Sequence, residues 1–203
     1  KQLLHQSGTQ RKAFVPLDNV NDIKAHRVTL LTEYQNGNYA QRYCKLLDNV
    51  IANDPDENGE FSNAVARGFS RLMAYKDEYE VARLYTNGDF IKKVYAQFEG
   101  DIQIKFNLAP PLFSKRDPVT GHLSWMMNAF SLLARFKGLR GSYFDIFGYS
   151  QERKIERGLI DEYEQLITNL LPQLSADNLS DEQYQTAIAL ASSAQKMRGY
   201  GHV

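Results

Sequence analysis

Apolar residues recur three and four positions apart through most of this chain, so its dominant local structure is predicted to be helix. Val20, Ile23, Leu30, Leu31 and Tyr34 fall on one helical face, and "NGN" at 36–38 supplies a glycine stop with Asn38 as the expected cap of the next helix. That second helix sets Tyr39, Tyr43, Leu46, Leu47, Val50 and Ile51 in one stripe, completing an αα-hairpin before "DPDENG" at 54–59 interrupts the pattern. Ser62 is then expected to cap a single long helix reaching to about Thr86, closed by "NG" at 87–88, with Ile91, Val94, Tyr95 and Phe98 forming a short further helix.

The period changes at "DIQIKFNL". Ile102, Ile104, Phe106 and Leu108 alternate with polar residues, which predicts a half-buried strand ending at Pro110 and Pro111. "RDPVTG" at 116–121 reads as a turn, so a short strand or small β-hairpin insertion is expected near 101–124, backed by helices. Helical spacing returns with Trp125, Met126, Ala129, Phe130, Leu133 and Phe136 and ends at "KGLRG", which opens an aromatic loop, "SYFDIFGYS". From Ser150 as N-cap, the series Ile155, Leu159, Ile160, Tyr163, Leu166, Ile167, Leu170, Leu171 runs without a miss until Pro172, the expected stop. Ser180 and Gln183 form a capping-box signature for the last helix, with Tyr184, Ala187, Ile188 and Ala191 inward. Residues 1–17 lack periodicity and read as an arm or linker, leaving 18–203 as one mainly α, multi-helix domain.

Composition narrows the function classes. Lys plus Arg and Asp plus Glu both number 24, and a domain built to grip phosphate backbones would carry a positive surplus, so nucleic acid is not an expected partner. Cys44 is the single cysteine, which excludes an internal disulfide and any four-cysteine metal or iron–sulfur site within the chain and fits a reducing, cytoplasmic setting. No apolar run approaches the roughly 20 residues of a membrane span, and no membrane partner is expected. The chain opens on Lys1 instead of Met, which leads to the expectation that it is a piece of a longer polypeptide.

The familiar site chemistries are not spelled out. Neither a GxxxxGK[ST] nor a GxGxxG phosphate cradle occurs, and no GxSxG elbow. His5, His26, His122 and His202 make no ligand spacing, and Cys44 borders the second helix's apolar stripe as a small hydrophobe would. No catalytic, cofactor-binding or metal-ligating residue is therefore assigned.

Two stretches stand out. In "RLMAYKDEYEVARLYT" at 71–86, apolar groups lie on several sides of the helix, so its charges are only partly wet. Lys76 and Glu80 are four apart and Glu80 and Arg83 three apart, close enough to pair. The bland reading is a satisfied ion-pair network between helical layers, and the sharper one is contact with a neighbouring domain or subunit. In 134–157, Arg140 and Arg153 are interleaved with Tyr149 and other aromatics; the expectation is a loop packed onto the domain, its arginines bonding helix ends or a docked domain. Lys76, Glu80, Arg83, Arg140, Tyr149 and Arg153 are thus the candidate interdomain contacts.

Several phrases, in order, resemble landmarks of one family: "HRVTLLTEYQNGNYAQRY" at 26–43, "AYKDEYEVARLYTNGDF" at 74–90, "FNLAPPL" at 106–112, "LLARFKGLRG" at 132–141, "FGYSQERKIER" at 147–157 and "RGYGHV" at 198–203. They are similar to the C-terminal region of the long fused indolepyruvate ferredoxin oxidoreductases, of the 2-oxoacid:ferredoxin oxidoreductase family. The link from "DPVTG" to Trp125 is shorter than in that family, and Ile146 stands where proline is usual. The resemblance implies a parent enzyme that oxidatively decarboxylates arylpyruvates to aryl-acetyl-CoA, with thiamine diphosphate and iron–sulfur clusters, and reduces ferredoxin. This segment would then be a noncatalytic accessory domain packed on the upstream catalytic domains of the same chain or on a second protomer. The alternative is a freestanding helical interaction or regulatory protein that presents its 134–157 loop to a partner.

Overall fold

The computed structural model describes residues 17–88, 92, 96–97, 106–108, 119–121, 123–176 and 178–197. Among the described residues the architecture is mainly helical, with α1 (Val20–Tyr34), α2 (Gly37–Asn53), α3 (Glu60–Met73), α4 (Glu78–Thr86), α5 (Leu123–Arg135), a 3-10 turn (Phe136–Leu139), α6 (Gln151–Leu174) and α7 (Asp181–Lys196). Two three-residue strands, β1 (Phe106–Leu108) and β2 (Val119–Gly121), pair antiparallel with Phe106 opposite Gly121. The rest of the alternating segment, the Pro118 turn, most of the short helix expected at 91–98 and nearly all of the N-terminal arm lie outside the described residues.

α3 is the centre of the fold. Its sequence is rich in small and apolar residues over most of its circumference, with one polar stripe at Glu60, Asn63, Arg67 and Arg71, and Phe61, Val65, Ala66, Phe69 and Met73 are fully buried while α1, α2, α6 and α7 pack around it. An apolar face this wide has to be covered by several neighbours, and only the narrow polar stripe can stay wet. Rings from three helices interleave across this core: Tyr43 of α2 lies 6.0 Å from Phe69, and Phe69 lies 5.9 Å from Tyr163 of α6. Such stacked pairs add about 0.5–1.5 kcal/mol each beyond the area they bury. A second, smaller cluster joins α4 to α5 through Ala82 and Phe130, with Tyr85, Met127, Leu133 and Ala134 against it. On α5 the inward face therefore centres on 127, 130 and 133–134; Ala129 and Phe136, expected on that stripe, are exposed.

Three expected helix boundaries are corrected. Asn36, not Asn38, caps α2, its side chain accepting from the Tyr39 N–H at 2.9 Å, so Gly37 starts the helix instead of stopping the one before. Ser62 lies inside α3; the helix begins after Gly59, whose φ of 66° suits glycine, and Asp54 reaches across the loop to accept from the Ser62 N–H and hydroxyl at 2.8 and 2.6 Å. Pro172 does not end α6, which runs on to Leu174. Pro172 is exposed in the last turn, while Leu171 and Leu174 are buried, and that packing carries the helix past the missing N–H.

The expected long helix from Ser62 to Thr86 is also two helices. The chain leaves helical geometry at Ala74, and α4 restarts at Glu78 behind an N-cap made by Asp77, which accepts from the Glu80 N–H at 2.8 Å. The carbonyls released by the break are taken up by phenols of the first hairpin: the Tyr39 hydroxyl donates to Met73 O and that of Tyr34 to Tyr75 O, both at 2.9 Å. That break positions the site.

Candidate functional site

At the α3–α4 break, the two stretches singled out in the sequence meet. Asp77 is held by the turn, with its carboxylate pointing inward, and Arg140, delivered by the 3-10 turn after α5, meets it with Nε at 2.5 Å and Nη2 at 2.7 Å. Both side chains are 3% exposed. Such a fork on a carboxylate is the geometry that best repays removing two charges from water. Arg140 Nη1 also donates to the carbonyl of Tyr34 at the end of α1, and the guanidinium stacks 3.7 Å over the Tyr34 ring, with the Tyr79 ring centroid 5.3 Å away. Burial works against the Arg140 charge, yet the Asp77 bond holds its pKa above the usual arginine range.

A second buried carboxylate extends the network. Asp145, in the aromatic loop 140–150, accepts from the N–H groups of Gly141 and Gly148 at 2.8 and 3.0 Å, from the Tyr79 hydroxyl at 3.3 Å and from Arg157 at 3.1 Å. Arg157 donates to the Gly148 carbonyl as well. Phe147 packs edge-on against Tyr79 at 5.3 Å. The loop is thus stapled to α4 and α6, with no room to spare: a Cβ on Gly148 would collide with both Asp145 and Arg157. Burial, then the Asp145 carboxylate, pushes the Tyr79 phenol well above its usual range.

The rim is wetter. Arg83 forks onto Glu80 at 2.8 Å through both Nε and Nη2 and reaches Glu33 of α1 at 3.2 Å. Lys137 donates to the Glu33 carbonyl, giving the end of α1 a second cation besides Arg140. Arg153, in the first turn of α6, contacts Glu156 at 2.5 Å and Glu78 at 3.4 Å, and lies 5.7 Å over the Tyr75 ring.

Four of the six candidate contacts, Glu80, Arg83, Arg140 and Arg153, belong to this junction, and two do not. Lys76 is exposed in the turn and does not join Glu80: the expected four-residue spacing needed an unbroken helix, and the break leaves Glu80 to Arg83. Tyr149 is 56% exposed, its hydroxyl donating to Tyr143 O at 2.7 Å. The loop's expected packing holds for Phe147 alone; Tyr143, Phe144 and Ile146 point to solvent. Sequence reasoning passed over Asp77 and Asp145, placed Tyr34 only on the apolar stripe of α1, and noted Arg157 only among the basic residues of 134–157. Asp77 had a signal, since Asp-x-x-Glu at 77–80 is a helix-start pattern. Asp145 had a weaker one, a lone carboxylate inside "YFDIF".

Chemically the junction is a set of ion pairs whose donors and acceptors are turned on one another, except that Glu78 Oε2 is buried without a hydrogen-bond partner, 3.4 Å from Arg153. A separate polar cavity of about 490 Å³ lies between the 54–60 loop and the start of α7, lined by Asp56, Glu60, Asp181 and Tyr184 among others, and shares none of the junction's residues. Among the described residues, no group of three or more His, Cys, Asp or Glu side chains could hold a metal ion, and no helix is long and apolar enough to cross a membrane.

Fold and site together define a helical domain organised around a buried polar junction. The chain belongs to the family of unknown function DUF6537, whose model matches residues 20–203. No curated protein and no solved structure shows a significant match.

Proposed function

We propose that this chain is a noncatalytic accessory domain of a larger oxidoreductase resembling indolepyruvate ferredoxin oxidoreductase, packed on its catalytic domains or on a second protomer in the cytoplasm. One observation carries the reading. The groups best suited to chemistry by charge, Asp77, Arg140, Asp145 and Tyr79, are consumed in holding α1, α4, α6 and the aromatic loop together. A catalytic carboxylate or cation needs an open side facing substrate. The ordered landmarks from 26 to 203 support the parent family, and we propose within the same reading that 101–124 closes as a small β-hairpin around the β1–β2 ladder.

The cofactors of such a parent do not fit the residues here. An iron–sulfur cluster needs several thiolates, and Cys44 is alone on α2. Thiamine diphosphate, clusters and ferredoxin would therefore be engaged by other domains. The expected outcome is that the 203-residue chain binds neither thiamine diphosphate nor iron and does not oxidise indolepyruvate. Titration calorimetry with the cofactor and a visible spectrum after reconstitution check this; saturable binding or a cluster absorption band overturns it.

The exposed aromatics of the 142–149 loop favour the second reading, a freestanding interaction domain. The reading frame upstream of Lys1 separates the two: a thiamine motif with cysteine clusters supports the accessory domain, a start codon there the freestanding one.

A further inference from the structure

The aromatic loop is rigid on its inner side and apolar on its outer side. Inside, Asp145 ties its backbone at both ends. Outside, Tyr143 is 85% exposed, Phe144 69% and Ile146 60%, with Tyr149 beside them and Ile155 exposed one turn into α6. Tyr143 and Phe144 hold each other edge-to-face at 5.7 Å, and Tyr149 anchors its hydroxyl on the Tyr143 carbonyl. A floppy loop would fold such rings onto the protein; this one cannot, because its backbone is already fixed. Taking about 200 Å² for a whole aromatic side chain, the three rings leave roughly 400 Å² in water. Ile146 and Ile155 take the patch to the upper end of what a typical monomer exposes, roughly 300–600 Å².

We propose that this loop is a self-association surface, and that its occupant is the same loop of a second copy of this chain in a two-fold symmetric dimer. Three features favour a copy. The apolar area, with a polar rim added, approaches the roughly 800 Å² per partner of a stable interface. The chain's 24 basic and 24 acidic residues cancel, so two copies approach without net repulsion, whereas an anionic lipid surface would need a cationic excess. Two-fold dimers place one patch against itself, and adjacent Tyr and Phe rings on a fixed backbone are the preorganised anchors that such contacts use. The inference goes beyond the accessory-domain reading and does not depend on the parent enzyme.

Sedimentation velocity of the 203-residue chain across the micromolar range tests it. The expected result is a monomer–dimer equilibrium in which the double variant Tyr143→Ser/Phe144→Ser raises the dissociation constant about 30-fold or more. Leu190→Ser, at an exposed apolar position on α7, should leave the equilibrium unchanged. Thermal melting followed by circular dichroism shows that each variant is folded, since the replaced side chains are exposed. A monomer at every concentration, a dimer indifferent to the double variant, or a dimer weakened equally by Leu190→Ser overturns the proposal. None of these results bears on cofactor binding, so the accessory-domain reading stands or falls on its own titration.

Discussion

Arg140 is the residue on which the junction turns. It touches the end of α1, the cap of α4 and two tyrosine rings at once, and with Asp77 it is sealed from water. Arg140→Ala leaves a buried carboxylate with only the Glu80 N–H, and a broken buried pair costs about 3–5 kcal/mol. Urea unfolding should show that loss as a lower midpoint with an unchanged slope. Arg140→Lys should recover only part of it, because an ammonium cannot make the fork or the stack. The double variant Arg140→Met/Asp77→Asn separates attraction from burial. It removes both charges and keeps a cap at 77, so it should be more stable than Arg140→Ala; equal or lower stability would mean that the pair's attraction, not the stranded charge, dominates.

At the scale of elements, what the sequence revealed and what it hid divide by range. α6 and α7 were legible because Ser150, Ser180 and Gln183 cap their own helices within three residues and their apolar stripes repeat locally. The break between α3 and α4 was not, because the groups that make it affordable, Tyr34 and Tyr39, lie 41 and 34 residues away from the carbonyls they satisfy. Helical spacing simply continues through 71–86, and only the Asp77 cap pattern marks the restart. The junction was half legible for the same reason: its charge types were visible at Glu80, Arg83, Arg140 and Arg153, whereas the pairing of Asp77 with Arg140 spans 63 positions without a local signature. Helix packing was hidden too. Gly68 reads as a weak point in α3, yet a Cβ there would stand 2.6 Å from the Tyr163 hydroxyl and 2.8 Å from the Ala191 carbonyl. Gly68→Ala should therefore destabilise by about 1–3 kcal/mol despite its better helix propensity, since α7's backbone has to move. Thermal denaturation decides between the two effects: a higher midpoint would show that propensity wins and that α7 yields.

Across the described residues one device recurs, a buried or half-buried tyrosine whose hydroxyl donates to a main-chain carbonyl of another segment. Tyr34 reaches Tyr75 O, Tyr39 reaches Met73 O and Tyr43 reaches Ala66 O at 3.1 Å, so three protons pin the hairpin α1–α2 to the central helix and the turn that follows it, while Tyr163, reaching Ala191 O at 2.7 Å, pins α6 to α7. Burial pushes all four phenols above the usual tyrosine range, and burial with the nearby Asp77 carries Tyr75 up to about 12. Because the folded values exceed the unfolded value of about 10, the contribution is fully present below pH 10 and is lost as pH climbs through the folded values. Each such phenol then costs about 1.4 kcal/mol per pH unit, and four together consume a typical domain's 5–15 kcal/mol within roughly one to three units. A single cooperative alkaline unfolding is expected, in which the last part of the tyrosinate absorbance of the twelve tyrosines appears together with the loss of helical circular dichroism. If instead every tyrosine titrates while the helices persist, the hydroxyl-to-carbonyl bonds are not what locks these elements together.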